Sequence, residues 1–388
     1  MIRTLVISTA ILWLAVAVVM VSESRATGIT AYKDGDKYVK FGGRIQIQYH
    51  YQDPDGGEDT DELFFRRLRP YIEGSVHKDW KGKFQWDMGK ATGDNEISIR
   101  DAYLQYIGIE NLKITMGNAN FPFSREFLTS SKTQQLVERT LVGDSNYGTP
   151  DRNLGLHITG SGLDKKITYG ISAASSSIDP DSTRLDFDTP VNDSTDFNEG
   201  WIFGGRIDFH PLGLLKFSQG DFKKKPLATI GVAAFTWSND DDNNTRTTNG
   251  VATDISKPDV DTVTGFEVSG AIRLKGLSID LEYNMFDTET IDPSVTSGIY
   301  RNGETDLTNW AVEAGYMLFS DKFEIVAGYE TQEADNYADD WTRMSFGFNY
   351  FFKQHDIKLQ TTYRIGENVD GVKDSDKDEL FVQLQYVF

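Results

Sequence analysis

Phe41-Gly42-Gly43-Arg44-Ile45-Gln46-Ile47-Gln48-Tyr49-His50-Tyr51 alternates without a slip. Phe41, Gly43, Ile45, Ile47, Tyr49 and Tyr51 share one face of an extended chain, and Gly42, Arg44, Gln46, Gln48 and His50 share the other, because successive side chains of a strand point to opposite sides. One face suits hydrocarbon and the other suits water. A soluble β-sandwich has the same period, but its strands usually run about 5 to 6 residues, whereas a tilted strand needs about 9 to 11 to cross a bilayer. Length therefore separates the two readings, and this stretch has the longer one.

The pattern recurs on both sides of that segment. Leu68, Ile72 and Val76 keep it, as do Phe84, Trp86 and Met88, then Ala102, Leu104 and Tyr106, then Leu112, Ile114 and Met116. Further runs fall at 154–158, 169–173, 201–209, 230–234, 266–274, 277–285, 310–318, 323–329, 344–350, 357–363 and 380–388. The total is sixteen, an even number as bacterial single-chain barrels have. The run inside 226–238 fits least well, since both of its faces are partly apolar.

Connections alternate short and long. Those at 77–82, 108–111 and 275–276 are brief, while 52–62, 119–151, 178–199, 239–262, 287–307, 332–340 and 365–378 are extended, the rhythm of short periplasmic turns and long external loops. Two connections break it: 90–96 is a short external loop and 210–226 a long internal one. Charge sorts with the same two sides. The long loops hold Asp53, Asp55, Glu58, Asp59 and Asp61, then Asp240, Asp241 and Asp242, then Asp374, Asp376, Asp378 and Glu379, whereas Lys78, Lys81, Lys165, Lys166 and Lys322 mark the short turns. The acidic loops suit a surface among lipopolysaccharide and divalent cations, or simply one facing water.

At the N-terminus Arg3 precedes an apolar run over 5–21, followed by Ser24-Arg25-Ala26. This is the layout of a secretory signal, with 1–26 removed and 27–388 left as the barrel. An uncleaved anchor is the alternative, because a run of this length is near the lower limit for a spanning helix. At the other end Leu380, Val382, Leu384 and Tyr386 alternate into Phe388, which resembles the sorting signal of outer-membrane barrels.

Composition agrees and excludes. Hydrophobic residues are 39% of the 388 and aromatics 12%, with a mean hydropathy of −0.43; a wet interior with aromatic girdles has this profile. There is no cysteine, which rules out disulfides, thiolate metal sites and haem attachment, and no cofactor is expected. The net charge of −20 argues against a nucleic-acid partner. An outer-membrane enzyme would need a histidine beside a carboxylate or serine, and His50, His77, His157, His210 and His355 are scattered over different strands and turns.

Several segments are more specific. Phe41-Gly42-Gly43-Arg44, Phe65-Arg66-Arg67-Leu68-Arg69, Asp101-Ala102-Tyr103, Phe121-Pro122-Phe123 leading into Leu128-Thr129-Ser130-Ser131-Lys132, Glu138-Arg139 and Arg152-Asn153-Leu154-Gly155 together resemble the phosphate-selective porin O and P family of Gram-negative outer membranes. The likeness spans nearly the whole mature chain, its second half mainly in strand rhythm and in the closing Gln385-Tyr386-Val387-Phe388. It implies a homotrimer of 16-stranded antiparallel transmembrane β-barrels in outer-membrane lipid, each narrowed by an inward-folded loop, here 119–151. Residues 124–142 read as partly helical, and 143–150 as a return turn.

The family's solute-binding residues correspond here to Arg66, Arg67, Asp101 and Arg139. Guanidinium forks suit phosphate oxygens. Where phosphate-selective relatives carry a lysine just before the Thr-Ser-Ser-Lys run, this chain has Phe127, with Arg125 and Lys132 near by. Where those relatives carry an arginine ladder in the fifth external loop, 239–262 offers Asp240, Asp241 and Asp242 with Arg246 and Lys257. Arg44, Arg69 and Arg206 are expected to line the pore, balanced by Glu73, Asp87 or Asp208, and Asp101 is a candidate to hold Arg67 in place. The resulting expectation is a passive channel for small anions and polar solutes, weakly anion-selective rather than specific for phosphate. A general porin without phosphate preference, or a barrel sheathing a partner protein, are the alternatives.

Overall fold

The computed structural model describes residues 28–388 apart from 91–96, 180, 190, 192–197, 241–246, 249–250, 253–257 and 320. The leader expected at 1–26, most of the 90–96 loop, Asp241 and Asp242, and Arg246 and Lys257 lie outside the described residues.

The strands form in chain order: β1 Lys37–Pro54, β2 Thr60–His77, β3 Trp80–Asp87, β4 Ser98–Ile109, β5 Leu112–Asn120, β6 Arg152–Gly162, β7 Ile167–Asp179 and β8 Glu199–Phe209, then β9 Leu227–Asn239, β10 Val260–Leu274, β11 Leu277–Thr290, β12 Glu304–Leu318, β13 Phe323–Glu333, β14 Trp341–Lys353, β15 Ile357–Glu367 and β16 Lys377–Val387. Each pairs antiparallel with its neighbours, and β1 pairs with β16 from Arg44 opposite Val387 to Pro54 opposite Lys377. The sheet thus closes on itself and leaves no open edge. A short strand, Ile29–Asp34, folds back along the start of β1.

Fourteen of the sixteen expected strands lie within an observed one, and the other two overrun theirs by a single residue, at Met88 and at Phe388. The inversion relative to a soluble protein is plain at the seam: Gln46, Gln48, Gln383 and Gln385 are buried inside, while Phe41, Leu63 and Phe65 are exposed outside. Gln46 Nε2 donates to Gln385 Oε1 at 2.7 Å across that seam. The terminal residue is tied in as well, since Phe388 and Gly43 exchange backbone hydrogen bonds of 3.0 Å. A Cβ on Gly43 would lie 2.9 Å from the Phe388 ring, so the glycine leaves room for the terminal aromatic.

The two awkward features of the sequence have structural causes. The inner face of β9 is apolar because the 121–151 loop lays rings against it: Phe123 packs edge-on against Phe235 at 4.9 Å, and Phe121, Phe187 and Phe286 join the same cluster. The long internal connection, 210–226, folds into the barrel. Gln219 within it is buried, its N–H donates to Thr133 O at 3.0 Å, and its side-chain oxygen accepts from Gln135 N–H at 2.6 Å. His355 Nε2 lies 3.0 Å from Gln219 O. Burial and nearby Lys358 push the pKa of His355 down to about 3, so the ring is neutral and can donate from Nε2 at any working pH.

The 121–151 loop is less helical than its composition suggests. A single turn, Arg125–Leu128, starts on Ser124 Oγ, which accepts from Phe127 N–H at 3.0 Å, and a 3₁₀ turn covers Leu141–Gly143. Between them the wall supplies the backbone partners that a helix would have supplied. Lys358 and Gln360 donate to Gln134 O at 2.8 and 3.1 Å, Asn349 donates to Gln135 O at 2.9 Å, and Leu141 N–H donates to Glu330 at 2.5 Å. The loop is therefore sewn to the β13–β15 wall, and although Arg44, Gln46 and Arg66 also bond to it, a cavity remains beside it on the β1–β6 side.

Candidate functional site

Strict alternation cannot place two consecutive arginines on one face, and β2 solves this with a bulge. The register passes from Gln46 opposite Arg67 to Ile47 opposite Phe65, so Arg66 is the extra residue, and a bulge re-aims the side chain it carries. Arg66 donates from Nε and Nη2 to Glu138 at 2.5 and 2.8 Å. Arg67 Nη1 donates to Gln46 at 3.1 Å, and its other nitrogen lies 3.7 Å from Glu138. A second bulge does the same on β4, where the pairing passes from Gln85 opposite Asp101 to Trp86 opposite Ile99 and makes Arg100 the extra residue. Arg100 then reaches Asp151 at 3.0 Å, and Asp101 accepts from Arg152 at 2.8 Å and Lys83 at 2.5 Å.

Arg44 and Arg69 face each other directly across β1 and β2. Arg69 is bound by Asp87; Arg44 meets Ser130 Oγ at 3.4 Å instead. Its expected balance, Glu73, accepts from Tyr38 at 3.0 Å. Arg139, on the inward loop, donates to Phe127 O and Thr129 O at 3.2 Å and lies over the Phe127 ring at 5.2 Å. Among the described residues, neither Arg44 nor Lys132 nor Arg139 has a carboxylate within ion-pair distance. All three line one cavity of about 310 Å³, together with Arg69, Lys83 and Arg152. Burial and the Arg44 charge beside it pull the Lys132 ammonium below its ordinary value. Burial also raises Glu138, but Arg66 and Arg67 outweigh it and hold that carboxyl well below the usual range.

On the opposite wall the arginines are paired. Arg125 lies 3.2 Å from Asp280, which also binds Arg273 at 2.6 Å, and Arg206 binds Asp208 and Glu267 at 2.8 Å each. The Phe217 ring of the infolded connection sits 5.5 Å from both Arg125 and Arg206. The structure thus groups Arg44, Arg69, Lys132 and Arg139 around the open cavity with Asp101 in its wall, keeps Arg66 and Arg67 beside it on Glu138, and places Arg125 and Arg206 on other walls.

A model of the phosphate-selective porin O and P family matches residues 39–388. The chain belongs to that family. Porin O of Pseudomonas aeruginosa is 31% identical over 113 residues, which is 28% of this chain and 26% of that protein. Among solved structures, OmpF of Salmonella typhi, in complex with daunomycin, superposes with a TM-score of 0.60 at 16% identity, covering 92% of this chain and 100% of its own. An anion-selective porin from Comamonas acidovorans superposes at 0.58 with 10% identity, over 91% and 100%. Family and fold together make this protein an outer-membrane channel.

Within the porin, sequence reasoning passed over Lys83, Arg100 and Arg152. Arg152 stands in a motif quoted for the family and adjoins Asp151, which was a usable signal; Arg100 was hidden by the bulge, since alternation assigns it to the lipid side. Asp101 does not hold Arg67, because β3 lies between their strands and Lys83 and Arg152 are nearer.

Proposed function

We propose that this porin lets small anions and polar solutes diffuse down their gradients past the β1–β6 side of the barrel, with a weak preference for anions and no strict specificity for phosphate. One observation carries the reading. In a chain of net charge −20, the open cavity is lined by Arg44, Lys132 and Arg139, none of them within ion-pair distance of a carboxylate among the described residues, while the two carboxylates of the lining, Glu73 and Asp101, are engaged by Tyr38 and by Lys83 and Arg152. Like charges this close are unfavourable unless something negative sits among them, and a hydrated anion in transit meets that need. The pair Arg66 and Arg67 acts through Glu138: it sets the position of the inward loop and adds to the field rather than offering free forks. The likeness to a porin described as anion-selective supports the sign of the preference.

Export by cleavage after the leader, contact with lipopolysaccharide and assembly as a homotrimer belong to the same reading, supported by family resemblance. The acidic external loops bear on magnitude, because loop carboxylates repel anions over about 8 Å at physiological salt. Single-channel recording in potassium chloride, titrated with phosphate and then pyrophosphate, tests the specificity. Millimolar phosphate should slow the chloride current gradually, and Arg139→Ala should remove that effect. Block by micromolar phosphate would show a dedicated phosphate site and contradict the proposal.

A further inference from the structure

The passage changes character on the short-turn side of the arginine cavity. A second cavity, of about 870 Å³, opens between the lower ends of β4–β8 and the infolded 210–226 connection, and Asn120 and Leu128 stand in the walls of both. The two cavities therefore adjoin. Elsewhere the inner face is polar, or its rings are buried against one another, as in the Phe123, Phe235 and Phe286 cluster. Here Ile107, Ile109, Pro122, Leu128, Leu215 and Phe217 line open space, and Ile107 and Ile109 keep 39% and 47% of their surface exposed.

Cations stand around this apolar wall. Lys113, Lys165 and Lys216 are exposed and line the same cavity. Among the described residues, none of the three is within ion-pair distance of a carboxylate. Of the two carboxylates in that lining, Asp208 is already bound by Arg206 and Glu110 is exposed at the turn, so three lysines face one unneutralised carboxylate. An inorganic anion draws on the lysines and gains nothing from the apolar surface. An anion with a carbon body draws on both, since removing apolar area from water is favourable, and a cavity of this size lies in the range that holds small organic ligands.

We infer that the second cavity is a subsite for amphiphilic organic anions, the class of alkyl or aryl sulfonates and carboxylates. The charged head passes from Arg44, Lys132 and Arg139 to the rim lysines while the carbon body lies along Ile107, Leu128 and Phe217. This deepens the anion reading and rests on it.

The test is competition with chloride current through the purified full-length porin in a planar bilayer, using two probes with one head group, methanesulfonate and hexanesulfonate, added on the short-turn side. Hexanesulfonate should halve the current at about one tenth of the concentration that methanesulfonate needs. Ile107→Asn and Ile109→Asn, which line the second cavity and not the first, each checked for heat-modifiable migration as a folded barrel, should erase most of that difference and leave methanesulfonate unchanged. Equal potency of the two sulfonates in the wild type, a difference that survives both substitutions, or block by neutral hexanol as strong as by hexanesulfonate would each overturn the inference. Failure of the anion reading looks different: neither sulfonate competes, and the zero-current potential shows no anion preference.

Discussion

Replacing Arg139 with glutamine should lower the preference of the channel for anions over cations about tenfold. A unit charge about 6 Å from the path of an ion, at an effective dielectric of about 80 in a wet lumen, favours an anion by about 0.7 kcal/mol and disfavours a cation by as much, about 1.4 kcal/mol between them, which is that factor. Arg139 makes no ion pair among the described residues, touching the carbonyls of Phe127 and Thr129 and the face of Phe127, and Glu126, Asp144 and Asp151 offset only part of its field from farther away. Glutamine keeps a donor for those carbonyls, so the loop stays in place while the charge goes. The effect should shrink with salt, since the screening length falls from about 10 Å at 0.1 M to about 3 Å at 1 M. The zero-current potential at both salt levels measures it. An unchanged potential in 0.1 M salt would show that ions do not pass this residue.

The largest effect on loop order is expected from Glu138→Gln. Glu138 holds both bulge arginines, with two bonds to Arg66 and a contact of 3.7 Å to Arg67. Removing the carboxylate leaves two guanidiniums facing each other in a confined site, a change that costs about 3 to 5 kcal/mol in a dry interior. Lumen water reduces this to about 2 kcal/mol, or thirtyfold in a local opening equilibrium. Amide hydrogen exchange over 129–143 should therefore speed up by about thirtyfold, and Arg66→Gln added to it should restore part of the protection.

The pH dependence follows from the same pair. The Glu138 carboxyl is depressed in the folded barrel, so its contribution is complete above the ordinary glutamate value of 4.5 and is lost as the pH falls through the depressed one. The wild-type loop should thus stay protected at pH 4, where an unpaired glutamate would already be protonating, while Glu138→Gln should be equally open at pH 4 and pH 7. Protection in the wild type that falls away already between pH 6 and 5 would contradict this role for Glu138.

The barrel was legible because its rule is local: the alternation at Phe41–Tyr51 gives both the face and the span of a strand, and β1 contains that stretch entirely. The site was legible in kind but not in arrangement. Arg66 and Arg67 announce themselves as charged neighbours, yet which way each points depends on a one-residue slip against β1 that neither strand shows by itself. The inner face of β9 reads as ambiguous because its partner is a loop about a hundred residues earlier in the chain, and periodicity carries no record of what a face packs against. The same limit hides the 210–226 connection, whose inward course depends on Thr133, Gln135 and His355. The partners of Asp101 needed strand order as well as strand identity.

Ion current through the purified wild-type protein across a threefold gradient of potassium chloride asks most directly whether a wet, positively lined passage runs through this cylinder. Steady conductance with a zero-current potential of the sign set by chloride is the result that Arg44, Lys132 and Arg139 require. Silence in the bilayer, or a potential of the sign set by potassium, would contradict it.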